Sequence, residues 1–166
     1  MRIALGSDHA GAELKAQIKQ ALDDRHIECL DFGPSTDSPV DYPDYALRVS
    51  ESVASGQCDQ GILICGTGIG MAMAANKVPG IRAAQVTDRD GAHLSREHND
   101  ANILTLGART TSVGGALEIV DAFLETPFGG GRHQRRVDKI MALEEGRVTP
   151  VTSSGPPLVR DDNPKR

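Results

Sequence analysis

Gly61-Ile62-Leu63-Ile64-Cys65-Gly66-Thr67-Gly68-Ile69-Gly70 runs on into Met71-Ala72-Met73-Ala74-Ala75-Asn76. A short apolar run ends in a cysteine, glycines alternate through Gly66, Gly68 and Gly70, and helix formers follow. The pattern predicts a buried strand, a tight glycine turn and a helix start. Such a turn aims several backbone N–H groups and the positive end of a helix dipole at one point. An anion, or an oxygen gaining negative charge, is stabilised there. Cys65 stands at the carboxyl end of the strand, the side on which open α/β sheets bind ligands.

Plainer readings compete. A glycine turn can be a simple connector, and a free cysteine is most often a small buried hydrophobe. A dinucleotide fingerprint needs G-x-G-x-x-G, but here the third glycine comes one place early and Met71 stands in its position. Asp88 lies at about the distance of a ribose-binding acid, a weak signal alone. A Walker loop is excluded, because no Lys-Ser/Thr pair follows.

Outward from this stretch, strands and helices alternate. Arg2 to Gly6 is an apolar strand, Ser7-Asp8-His9-Ala10-Gly11 a polar loop, and Ala12 to Arg25 a helix with Leu14, Ile18 and Leu22 on one face. Asp8 reads as an N-cap or a site carboxylate, His9 as a surface imidazole or its partner in a site. Ile27 to Phe32 is a second strand, and Tyr42 to about Ser55 a second helix opened by Pro43. Tyr42 either fills the core or reaches into a ligand site. Ile81 to Val86 is the fourth strand, capped into a helix by Thr87 or Asp88, and that helix ends at Arg96-Glu97-His98-Asn99-Asp100. Asn102 to Gly107 is the fifth strand, and Ser112 to Glu125 is helical. Gly129-Gly130-Gly131 then runs into Arg132-His133-Gln134-Arg135-Arg136, opening a last helix to about Glu145. Basic residues at a helix N-terminus oppose its dipole, which makes sense where an anion is bound. From Val148 the character becomes turn-forming and aperiodic, so 1–147 is expected as the domain and 148–166 as a disordered or partner-draping tail.

Alternation of this kind predicts a single-domain, three-layer α/β sandwich, Rossmann-like or flavodoxin-like, with a five-stranded parallel sheet. In the flavodoxin-like order 2-1-3-4-5 the switch point lies between strands one and three. The loop bearing Asp8 and His9 would there meet the loop bearing Cys65.

Composition narrows the partners. The 166 residues carry a net charge of −5 and only 3% aromatics, which offers neither general attraction to nucleic acid or anionic membrane nor stacking platforms for bases. Three cysteines without metal-type spacing, together with no signal sequence and no membrane-length apolar run, lead us to expect a cytoplasmic protein.

Several segments in combination carry a resemblance. They are Gly6-Ser7-Asp8-His9-Ala10-Gly11, Asp41-Tyr42-Pro43, Ile64 to Gly70, Ala74-Ala75-Asn76-Lys77, Ser95 to Asp100, Leu106-Gly107-Ala108-Arg109 and Gly130 to Val137. Covering the chain to about residue 145, they resemble the type B ribose-5-phosphate isomerases, of the family shared with galactose-6-phosphate isomerase subunits. Ser7 stands where some relatives carry a cysteine, and Met71 where relatives lacking the catalytic cysteine carry a glutamate. The chain is therefore similar to the cysteine-dependent branch.

The resemblance implies interconversion of ribose 5-phosphate and ribulose 5-phosphate through an enediolate. Cys65 would be the base, the N–H groups of Gly66, Gly68 and Gly70 the oxyanion pocket, and Thr67 a partner of the thiolate or a sugar oxygen. His98 would be the acid/base of ring opening. Asp8 and Asn99 would hold sugar hydroxyls, with Tyr42 beside them, and His9, Arg109, Arg132 and Arg136 the phosphate. No metal and no cofactor is implied. A second subunit would complete the site, in a homodimer or a dimer of dimers. Two alternatives are an isomerase of a six-carbon aldose 6-phosphate, and a non-catalytic sugar-phosphate or nucleotide-binding module. A binder needs the glycines and arginines but no thiol beside them.

Overall fold

Arg2–Ser7 (β1), Glu28–Asp31 (β2), Gln60–Cys65 (β3), Ala83–Gln85 (β4) and Ile103–Gly107 (β5) pair in parallel as one sheet, in the order β2-β1-β3-β5-β4. The computed structural model describes residues 1–34, 38–144 and 146. Ala12–Asp24 (α1), Arg89–Asn99 (α4) and Val113–Glu125 (α5) cover one face of the sheet, and Tyr42–Ala54 (α2) and Ile69–Ala75 (α3) the other. Arg132–Glu144 (α6) packs beside α4.

The layering follows from the apolar pattern. Residues of β1, β3 and β5 are buried on both faces, as parallel strands between helix layers must be. Leu5, Ile62, Ile64, Leu104 and Leu106 meet Leu14, Ile18 and Leu22 of α1 and Ile119 and Phe123 of α5. Alternate residues Ala4, Leu63, Cys65 and Ile103 meet Val49 and Val53 of α2 and Met71 and Ala75 of α3. Helix starts use the expected chemistry: Gly91 N–H donates to Asp88 Oδ1 at 2.7 Å, and Gly115 N–H to Ser112 Oγ at 3.2 Å.

The three-layer parallel sandwich is the expected one, and so is the switch point between β1 and β3. The last two strands are not in the expected 2-1-3-4-5 order. Ile103, Leu104 and Leu106 of β5 are wholly buried and need a strand on either side, whereas β4 is three half-buried residues and sits at the edge. β4 is also shorter than the expected 81–86. The Arg82 N–H goes to Asn102 Oδ1 at 2.8 Å instead of a neighbouring strand. The open side of β4 is closed by one side chain. Asn76 Nδ2 donates to the Ala83 carbonyl at 2.9 Å, and the Ala83 N–H donates to Asn76 Oδ1 at 2.8 Å. Among the described residues no helix is long and apolar enough to cross a membrane. The expected tail, 148–166, lies outside the described residues.

Candidate active site

β3 delivers Cys65 as its last residue, 5% exposed. The chain then turns through Gly66, Thr67 and Gly68 into α3. Gly68 N–H donates to Cys65 Sγ at 3.1 Å. The alternating glycines answer three different close approaches. At Gly66 a Cβ would lie 3.3 Å from the Arg109 guanidinium carbon. Gly68 has φ +78°, and a Cβ there would lie 2.9 Å from the backbone carbon of Leu106. At Gly70 a Cβ would lie 2.7 Å from the Tyr42 ring. Tyr42 is therefore no core filler: it is 39% exposed and leans on the turn. Thr67 Oγ1 accepts from Ile69 N–H at 3.4 Å, and the Gly68 amide is the backbone group on the sulfur.

Neighbouring strand ends are sewn to this turn. Asp8 N–H donates to the Ile64 carbonyl at 3.1 Å, and Ala108 N–H to the Cys65 carbonyl at 2.8 Å. Asp8, 8% exposed, accepts at Oδ1 from Gly11 N–H at 3.0 Å and so caps the 3₁₀ turn His9–Gly11. His9 Nδ1 accepts from Val40 N–H at 3.4 Å. Arg109 N–H donates to the Gly66 carbonyl at 3.0 Å, which lays its side chain over the turn. Asp8, His9, Tyr42, Cys65, the glycine turn and Arg109 thus share the carboxyl end of the sheet.

His98, Asn99, Arg132 and Arg136 do not join them within one chain. α4 leaves the carboxyl end of β4 and runs back, so His98 and Asn99 finish at the opposite edge. The Asn102 carbonyl there accepts from Gly61 N–H at 2.9 Å. Gly61 and Cys65 are separated along β3 by about 13 Å. α6 packs at that same edge: Gly129 N–H donates to the Glu97 carbonyl at 2.9 Å, and the His98 and His133 rings stack with centroids 4.2 Å apart. The four basic groups expected on the phosphate are divided within one chain. Two stand at each end of the sheet.

Several neighbours of these residues carry little signal in the sequence. Glu97 Oε2 lies 3.4 Å from His98 Nε2 and 3.3 Å from His93 Nε2. Thr126 Oγ1 donates to the Ala122 carbonyl at 2.6 Å, so it accepts from His93 Nδ1 at 3.0 Å. Partial desolvation, then the neighbouring His98, Arg132 and Arg136, hold the His133 imidazole below its usual range, with Glu97 opposing. Lys15, 4% exposed, donates to Asp31 Oδ1 at 2.6 Å and to the Pro34 carbonyl at 3.1 Å. It fixes the segment whose Gly33 carbonyl accepts from Ser7 N–H at 3.0 Å, next to Asp8. The His-Asn pair and the glycine-arginine run were visible as motifs; Lys15 looks like any helix lysine.

Charge is distributed to leave cations free. Arg25, Arg82 and Arg96 are held by carboxylates, whereas no carboxylate of the described residues engages Arg109 or Arg136. Unpaired guanidinium groups suit a ligand phosphate. Cys65 at the end of β3, the Gly68 amide on its sulfur and the Arg109 guanidinium over the turn stand together at one end of the sheet, and Arg136 stands at the other.

Comparison with known proteins gives the family. Residues 3–140 match the family model described as Ribose/Galactose Isomerase. Ribose-5-phosphate isomerase B of Escherichia coli (strain K12) is 47% identical over 88% of this chain and 98% of its own. The solved ribose-5-phosphate isomerase B of Clostridium thermocellum superposes with a TM-score of 0.87 at 53% identity, covering 89% of this chain and 100% of that one. The Mycoplasma genitalium enzyme, solved with bound ribulose-5-phosphate, superposes with a TM-score of 0.84 at 45% identity, covering 87% and 96%. The chain belongs to the ribose/galactose isomerase family, among its type B ribose-5-phosphate isomerases, and is an aldose–ketose isomerase.

Proposed function

We propose that the chain interconverts ribose 5-phosphate and ribulose 5-phosphate through an enediolate, with Cys65 as the base. The observation that carries this reading is the Cys65 sulfur at the mouth of the glycine turn, with the Gly68 amide 3.1 Å away. The thiolate is the form of a cysteine that accepts a proton, and the Gly68 N–H faces the sulfur that would carry its charge. The thiolate takes the C2 proton of the open-chain aldose. Charge then grows on the C1 oxygen, where the N–H groups of the turn stabilise it. Return of the proton to C1, with the hydroxyl proton passing from O2 to O1, completes the ketose. The reading uses no metal, because the amides carry the charge a Lewis acid would otherwise carry. Asp8 and Asn99 hold hydroxyls, His98 opens the furanose ring, and His9, Arg109, Arg132 and Arg136 hold the phosphate.

The last assignments require two copies of the chain, because His98, Asn99, Arg132 and Arg136 stand at the other end of the sheet from Cys65. A homodimer, or a dimer of dimers, brings one copy's histidine edge over the other copy's glycine turn. Ile69 is 50% and Met73 65% exposed, one helical turn apart on α3 beside the site, an apolar face that a second copy would cover.

The test assays wild-type and Cys65→Ala proteins on five- and six-carbon aldose phosphates, with a chelator present. Turnover of ribose 5-phosphate is expected in the wild type. Loss of the base is expected to lower kcat by about 10²–10⁴ while substrate binding persists. A folded Cys65→Ala protein with near-wild-type kcat would overturn the mechanism, and turnover of six-carbon substrates alone would overturn the assigned sugar.

A further inference from the structure

One peptide group of the glycine turn is held at both ends. Its N–H, from Gly68, donates to Cys65 Sγ at 3.1 Å, and its carbonyl, from Thr67, accepts from Gln85 Nε2 at 3.5 Å. Among the described residues Gln85 is the only donor on that carbonyl. Gln85 is the last residue of β4, two strands away from Cys65, with β5 between them. Its partner on β5 is Thr105, and Gly107, two residues further, is the partner of Cys65. Ala83, two residues before Gln85, packs in the same cluster as Cys65, Met71 and Ala75, so Gln85 shares that face of the sheet.

The turn itself leaves this peptide a choice. Glycine accepts either sign of φ, so the plane between Thr67 and Gly68 can turn over at modest cost. In the observed orientation the amide faces the sulfur. Turned over, the carbonyl would face it and repel a thiolate. A donor fixed on the carbonyl selects the first orientation, and it also polarises the peptide so that its N–H donates more strongly.

We propose that Gln85 is a positioning residue for the isomerase reaction: its hold on the Thr67 carbonyl keeps the Gly68 amide aimed at the Cys65 sulfur. The proposal rests on Cys65 as the base for its catalytic consequence, but not for its structural one.

Two variants test it. Gln85→Met keeps the length and removes the donor, and Gln85→Glu keeps the shape and offers a carboxylate oxygen that cannot donate. Iodoacetamide alkylation of Cys65, followed by peptide mass mapping across pH, reads the sulfur directly. Burial pushes the Cys29 thiol up to about 11, and peptide mapping reads Cys65 separately from both Cys29 and Cys58. Arg109, the cation lying over the turn, is unchanged in every variant. Alkylation of Cys65 near neutral pH is expected to slow by about threefold to tenfold, the range one hydrogen bond carries. The difference should close at high pH, where the thiol is ionised in all proteins. Near neutral pH, kcat should fall by a similar factor with KM little changed. Melting curves identify any variant that fails to fold, and the other then carries the test. Folded variants with the wild-type alkylation profile would overturn the proposal. Failure of the Cys65 reading looks different: Cys65→Ala keeps its turnover, while alkylation in the Gln85 variants still reports whether the amide is aimed.

Discussion

Gly68 concentrates the demands of the site in one residue. Its φ of +78° lies where a side chain is strained, its missing Cβ leaves room for Leu106, and its N–H serves the sulfur. Gly68→Ala is expected to cost about 1–2 kcal/mol from backbone strain alone, and more from the close contact. Because the amide moves with the strain, kcat should fall as well. Thermal melts and steady-state rates check both effects; a variant with wild-type stability and kcat would show that the turn tolerates a side chain. At this scale the sequence was partly legible. The alternation of Gly66, Gly68 and Gly70 announces a tight turn, but each glycine faces a different neighbour: Arg109, the Leu106 backbone and the Tyr42 ring. Those neighbours come from distant elements, and no local pattern names them. Lys15 was illegible for the same reason, since its partners Asp31 and Pro34 lie on another element and a loop.

Among the elements, helix and strand positions followed from periodicity because each apolar stripe is a local record of one buried face. The order of the last two strands did not follow. Sequence pattern says that β4 and β5 are strands, not which one lies beside β3. The clue was compositional: Ile103, Leu104 and Leu106 are large and wholly buried, while Ala83 and Ala84 are small and half-buried, as an edge strand allows. Edge position also explains Asn76, whose carboxamide occupies both backbone groups of Ala83 where a further strand would pair. Asn76→Ala is expected to lose about 1–3 kcal/mol of stability, two hydrogen bonds' worth, and to leave kcat little changed because the sulfur and its amide are untouched. Denaturant titration decides the first point; an unchanged midpoint would mean that water serves the edge as well as Asn76 does.

For the whole molecule, crossover connections set the geometry of the site. A strand of a parallel sheet delivers its last residue to one end, and the helix that follows returns to the other. Cys65 ends a strand and His98 nearly ends a helix, so the two stand at opposite ends of the same sheet. That separation was implicit in the alternating pattern, whereas the motifs alone do not say which of them share an end of the sheet. Two copies related by a twofold axis would each lend a histidine edge to the other's glycine turn, making two equivalent sites. The most direct measurement mixes inactive Cys65→Ala and His98→Ala proteins under conditions that let subunits exchange. Each mixed dimer would hold one site with both lesions and one with none. Random re-pairing is then expected to restore about a quarter of the wild-type activity. Mixtures that stay as inactive as their components after demonstrated exchange would contradict the account, because each chain would then have to hold a complete site alone.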